Sequence, residues 1–180
     1  MEEYFDVVDE NNVLTGQKAL RSEAHAKGLW HRTVHVWILN SKNELLVQLR
    51  SPLKINDPNL WDISSAGHIS AGEDGKTSAL REVKEELGID ITLGDLEYIG
   101  QVKTQDIINN NTYFDNEIHE VYLVHKDFEI SDLNLQKEEV ADAKWVNFLE
   151  LEKDIKNNPN KYVDHSEEFG MLFGLLKAKL

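Results

Sequence analysis

The chain has 180 residues and a mass of 20.7 kDa, enough for one domain with a substantial core. Hydrophobic residues are 41% and charged residues 29%, which excludes a disordered or fibrous class. Asp and Glu number 33 against 19 Lys and Arg, a net charge of -14, so duplex nucleic acid and anionic membranes are poor partners. A phosphorylated small molecule remains possible, because a metal ion can invert the local field. The chain has no cysteine, which removes disulfides, thiolate metal sites and a Cys nucleophile together. No segment approaches the roughly 20 apolar residues of a membrane span. The acidic start, Met1-Glu2-Glu3-Tyr4, has no leader pattern, so a cytoplasmic location is expected. With 10 Gly and 3 Pro there is no linker, and residues 1–180 read as a single domain.

In chain order, Tyr4 to Val8 and Val13 to Thr15 flank a polar turn and read as a hairpin. Thr33 to Leu39 and Glu44 to Arg50 read as strands joined at Asn40–Asn43. A polar loop with prolines runs from Ser51 to Asn59, and Trp61 to Ile63 is again extended. Lys76 to Leu87 is the clearest helix. Leu96 to Lys103 and Phe114 to Val124 read as long strands joined by an Asn-rich loop, Asn109–Asn111. Ala143 to Asn147 is a short strand, and Phe148 to Asn158 and His165 to Leu180 read as helices. Strands interleaved with helices give an α/β class with a mixed central sheet. The apolar last helix suits either its own core or a second copy, so a homodimer stays open.

On the helix after Gly75, Ala79, Leu80, Val83 and Leu87 form one apolar stripe at 100° per residue. Glu82, Glu85 and Glu86 share another face. At about 5 Å and an effective dielectric near 20, each like-charged pair costs roughly 3 kcal/mol. Such a face is either a solvated acidic surface or a seat for a hard divalent cation, Mg²⁺ or Mn²⁺. Arg81 reaches Glu85 one turn on and can orient it, and Glu73 lies in the loop before the helix.

Residues 67–89, GHISAGEDGKTSALREVKEELGI, resemble the Nudix box, G-x5-E-x7-R-E-U-x-E-E-x-G-U, at every specified position. The resemblance implies an α/β/α sandwich and a pyrophosphohydrolase that cleaves a diphosphate linkage in a nucleoside di- or triphosphate or a nucleoside diphosphate derivative. It implies metal ligation by Glu82, Glu85, Glu86 and the carbonyl of Gly67, with Mg²⁺ or Mn²⁺ as cofactor. Arg81 would orient the glutamates and Glu85 would act as general base. Glu117, Glu138 and Glu139 are alternatives for the base.

The flanks are similar to the isopentenyl-diphosphate isomerase branch of that superfamily. His25, the Leu-Trp-His run ending at His31, and Trp37 resemble its N-terminal region. Arg50 to Lys54, with Pro58 and Trp61, resembles its diphosphate-binding loop, making Arg50 and Lys54 candidate substrate ligands. By the same resemblance His25, His31, His68 and Glu117, with Asp115 nearby, form a possible second metal site for Mn²⁺ or Zn²⁺. Ala66 stands where the isomerase has its cysteine. Alanine carries no proton, so hydrolysis is expected and isomerisation is the alternative. Trp30, Trp37, Trp61 and Trp145 read as packing residues, with Trp61 the candidate for stacking a base.

Overall fold

The computed structural model of the chain describes residues 2–108 and 112–179. The expected Asn109–Asn111 loop lies outside them. The elements are β1 (Tyr4–Val8), β2 (Leu14–Leu20), α1 (Arg21–Lys27), β3 (His31–Leu39), β4 (Glu44–Arg50), β5 (Trp61–Asp62), β6 (Ser65–His68), α2 (Gly75–Leu87), β7 (Leu96–Ile108), β8 (Tyr113–His125), β9 (Val140–Asn147), α3 (Phe148–Asn157) and α4 (Ser166–Ala178).

The main sheet runs β5-β4-β3-β8-β7, with β6 added on β3 and β9 on β4. β3 and β8 are parallel, while the other pairs in the sheet are antiparallel, so the sheet is mixed as expected. β3 meets β4 only at Leu39↔Leu45. The two strands then part, and β6 takes the free edge of β3 from Thr33↔His68 to Val36↔Ser65. This parting opens a cleft in the middle of the sheet.

Alternation along the strands feeds two cores. Val34, Val36 and Ile38 pack with Ala79, Val83 and Leu87 of α2 on one face. Trp37 and Leu39 pack with Leu151 of α3 and Leu172, Phe173 and Leu176 of α4 on the other. These layers form the α/β/α sandwich. The apolar side of α4 is therefore spent on its own core.

α2 follows its sequence signals closely. Asp74 caps it, its Oδ1 accepting from the Thr77 N–H at 2.7 Å. Gly88 ends it in the left-handed conformation at φ 76°. Elsewhere the structure extends or adds to the expectation. β2 is Leu14–Leu20 rather than a short strand from Val13, β3 starts at His31, and β7 and β8 each run 13 residues. α1 and β6 are additional. α1 has seven residues and no side-chain N-cap, so tertiary contacts hold it: Ala24 and His25 are buried. Among the described residues no helix is long and apolar enough to cross a membrane.

Candidate functional site

The cleft has a volume of about 680 Å³ and is lined by Gly67, Glu82, Glu85, Glu86, Arg50 and Lys54, among others. All the residues of the expected diphosphate site are thus on one surface. α2 supplies the glutamates and β6 brings Gly67 against them. A Cβ at Gly67 would lie 2.0 Å from the Glu82 carboxylate carbon, so only glycine lets the carboxylate lie over that backbone.

Arg81 ties these parts together. Its Nη1 donates to Glu82 Oε1 at 2.6 Å and to Glu85 Oε2 at 3.4 Å. Its Nη2 donates to the His68 carbonyl at 2.9 Å and to Glu73 Oε2 at 3.2 Å. The expected contact with Glu85 is present, and the shorter one is to Glu82. Glu86 Oε2 accepts from the Ser65 hydroxyl at 2.7 Å, and from Ala66 N and Gln48 Nε2 at 3.2 Å each.

Burial pushes Glu82 up to about 7, against the pull of Arg81. Burial pushes Glu86 up to about 8, against the Ser65 hydrogen bond, with Glu82 adding to the rise. Two desolvated carboxylates facing one cleft, beside a third on Glu85, fit a hard divalent cation, which would favour their charged forms near neutral pH.

Arg50 and Lys54 line the cleft but already have partners. Arg50 Nη1 donates to Asp62 Oδ2 at 2.8 Å and its Nη2 to the Asn56 carbonyl at 2.8 Å. Lys54 pairs with Glu139. Arg50 therefore holds the shape of its loop, while Lys54 keeps donors for a ligand. The Lys144 ammonium covers the Trp61 ring at 3.8 Å from its centroid. Trp61 is not part of the cleft wall, so the expected stacking of a base on it is not supported.

The histidines expected to form a second site converge. One ligand atom from each of His25, His31, His68 and Glu117 lies within 4.8 Å of the others. His31 Nδ1 must donate to the Leu29 carbonyl at 2.9 Å, since a carbonyl only accepts. In the neutral ring that leaves the Nε2 lone pair facing Glu117 Oε1 at 3.2 Å. His25 Nδ1 is 2.9 Å from Asp115 Oδ1, and its buried Nε2 has no partner. His68 Nε2 is 3.2 Å from the same Glu117 oxygen. Convergent lone pairs around one carboxylate fit a cation. Burial opposes the charge on Glu117, but without a cation the rings of His31 and His68 beside it, when protonated, hold it well below the usual carboxylate range. Phe5 of β1 stacks on both His31 and His68, at 4.8 and 4.5 Å between centroids.

A further polar group escaped the sequence reading. On β3, His31, Thr33, His35 and Trp37 alternate onto one face. His35 Nδ1 lies 2.6 Å from Glu168 Oε2, and Trp37 Nε1 donates to Glu168 Oε1 at 2.6 Å. His165 Nε2 meets Asp62 Oδ1 at 2.8 Å. Both nitrogens of His119 are engaged, by Thr33 and Thr104. The residues come from β3, β5, β7, β8 and the start of α4, and only the β3 alternation foreshadowed any of them.

A family model for the NUDIX domain matches residues 29–166. The chain belongs to the Nudix family. Nudix hydrolase 3 of Arabidopsis thaliana is 39% identical over 99% of this chain, which spans 24% of that protein's length. A Nudix hydrolase of Clostridium acetobutylicum is 40% identical over 87% of this chain and 75% of its own. Isopentenyl-diphosphate Delta-isomerase 2 of Photorhabdus laumondii is 33% identical over 90% of this chain and 87% of its own. Among solved structures, DR0079 from Deinococcus radiodurans has a TM-score of 0.65 at 22% identity, covering 87% of this chain and 90% of its own. The NUDIX domain of Shewanella oneidensis NrtR, complexed with ADP ribose, has a TM-score of 0.59 at 16% identity over 81% and 87%. These likenesses bear out the Nudix fold.

Proposed function

We propose that this Nudix chain hydrolyses a diphosphate linkage in a nucleoside di- or triphosphate or a nucleoside diphosphate derivative. The observation that carries the reading is the pair of carboxylates turned out of bulk water, Glu86 buried and Glu82 mostly buried, in a cleft beside Gly67. Glu82, Glu85, Glu86 and the Gly67 carbonyl would hold Mg²⁺ or Mn²⁺, and His25, His31, His68 and Glu117 a second cation, Mn²⁺ or Zn²⁺. When bound, a divalent ion neutralises the diphosphate and acidifies the attacking water.

The chain's own residues divide the remaining work. Glu85 has the most exposed side chain of the three box glutamates, at 54%, and can reach a water in the cleft as general base. Glu117 is the weaker candidate, since it would already serve the second cation with His25, His31 and His68. Arg81 orients Glu82 and Glu85, and Lys54 receives the second phosphate on the loop that Arg50 shapes. Isomerisation is disfavoured because Ala66 has no proton to give.

Nucleotide or phosphate release from a panel of nucleoside diphosphates, triphosphates and their derivatives, with Mg²⁺ or Mn²⁺, tests the proposal. Wild type is expected to cleave at least one, and Glu85→Gln to be slower by about 100-fold or more. No cleavage of any compound, with Glu82→Gln and Glu86→Gln taking up Mn²⁺ as tightly as wild type, would refute it.

A further inference from the structure

Beyond the box glutamates the cleft continues along β3. His35 pairs with Ala66 in the β3–β6 ladder, one step from Val34↔Gly67, so this part of the wall adjoins the proposed diphosphate seat directly. It contains Thr33, His35, Asp62, His119 and His165. Thr33, His35, Asp62 and His119 are buried.

Two of these rings are fixed by carboxylates and present a nitrogen to a ligand. A carboxylate only accepts, so a proton belongs on His35 Nδ1, toward Glu168, and on His165 Nε2, toward Asp62, whose charge favours a second proton on that ring. His35 Nε2 and His165 Nδ1 have no hydrogen-bond partner among the described residues, and both rings line the cleft. The ring centroids are 5.1 Å apart, so one small group can meet both. His119 differs: Thr33 and Thr104 use both its nitrogens, and it serves as packing beneath His35, stacked at 4.2 Å.

We propose that His35 and His165 are specificity residues that hydrogen-bond hydroxyl or amino groups on the moiety carried by the diphosphate, so that the substrate bears a polar, hydroxylated moiety and not a hydrocarbon one. The inference rests on the cleft taking a diphosphate. A hydrocarbon laid over these rings would strip water from polar nitrogens and return no hydrogen bond. A site that bonds a substrate hydroxyl rejects the analogue lacking it far more strongly than an apolar pocket rejects an added hydroxyl. The same chemistry separates this chain from its isomerase relatives, whose named substrate carries an isopentenyl group.

Two probes share a diphosphate and differ in what it carries: ADP-ribose and isopentenyl diphosphate. Calorimetric binding and hydrolysis are measured for both, with Mn²⁺, on wild type, His165→Phe and His165→Gln. Asp62 keeps Arg50 as a partner in either variant, which guards the fold, and thermal melting checks it. Wild type is expected to prefer ADP-ribose by at least about 100-fold. His165→Phe should weaken ADP-ribose binding by about tenfold without weakening isopentenyl diphosphate, and His165→Gln, which keeps an acceptor, should restore much of the loss. Equal binding of the two probes by wild type, or an unchanged ratio in a folded His165→Phe, overturns the proposal. So does stoichiometric zinc held by His35, His165 and Glu168, which would occupy the same nitrogens. Selective binding without turnover of anything would refute the hydrolase reading and leave this one standing.

Discussion

At the residue scale, Gly67 is the position with least freedom. Its backbone torsion is ordinary, and the constraint comes from the missing Cβ. In Gly67→Ala the new methyl group would meet the Glu82 carboxylate at 2.0 Å. That carboxylate ends a flexible side chain, so it can swing away at small cost in stability. Swinging away breaks its 2.6 Å bond with Arg81 and shifts a proposed metal ligand by about 1 Å or more, a displacement that can reduce turnover about 100-fold. Gly67→Ala is therefore expected to melt within a few degrees of wild type while hydrolysis falls by about two orders of magnitude. A variant with wild-type turnover would show that Glu82 need not lie over that carbonyl. Glu82, Glu85, Glu86, Arg81 and Gly67 were all legible in the sequence, because a fixed spacing on one helix and its leading loop defines them. His35, His165, Asp62 and Glu168 were not. Their partnership is set by strand pairing and by the docking of α4, and sequence alone gives Glu168 no reason to be buried, since an acid in the first turn of a helix ordinarily faces water.

At the element scale, the β1–β2 hairpin behaves as part of the site. Phe5 is fully buried and forms a small core with Val7, Ala19 and Ala24. Its ring also stacks on His31 and His68, fixing the planes of two rings in the histidine cluster. Removing it leaves a cavity and releases those rings. Phe5→Ala is expected to lose about 3–5 kcal/mol, read by urea denaturation, and to weaken Mn²⁺ or Zn²⁺ uptake at the cluster in calorimetry. Unchanged metal affinity in the folded variant would mean that hydrogen bonds to Leu29, Phe114 and Asp115 orient the rings without the stack. The hairpin itself was visible from apolar residues around a polar turn, but its attachment to the cluster was not. Helix α2 was legible from end to end because cap, stripe and stop agree. α1 and β6 went unread for opposite reasons. α1 is too short to hold without the contacts of Ala24 and His25, and β6, Ser65-Ala66-Gly67-His68, has no apolar alternation for a strand pattern to show.

At the scale of the whole molecule, a net charge of -14 attracts cations and opposes an anionic substrate, so the cleft needs positive charge of its own. Arg50, Lys54 and Arg81 supply part of it, and most of their donors already serve carboxylates or carbonyls of the protein. On the proposed reading divalent ions supply the rest, which would link stability to both pH and metal. Glu82 and Glu86 have folded pKa values raised by burial to about 7 and about 8, above those of the unfolded chain. In chelator the folded state therefore binds more protons between about pH 4.5 and 8, and stability from these groups falls as pH rises through that range. Buried His68 and His119, lowered from their usual value, the latter to about 3, act in the opposite direction over part of the same range. The raw pH profile is a sum, and Glu86→Gln separates it. Relative to wild type in chelator, the variant should gain stability from pH 5 to pH 8, by a few kcal/mol at most, or roughly 5–10 °C in melting temperature for a domain of this size. Saturating Mn²⁺ should reverse the order at pH 8, because wild type binds it with one more carboxylate, and a hundredfold excess over the dissociation constant adds about 2.7 kcal/mol. A difference that stays flat with pH in chelator would mean that Glu86 remains charged without a cation, and the physical case for a metal at that carboxylate would fail with it.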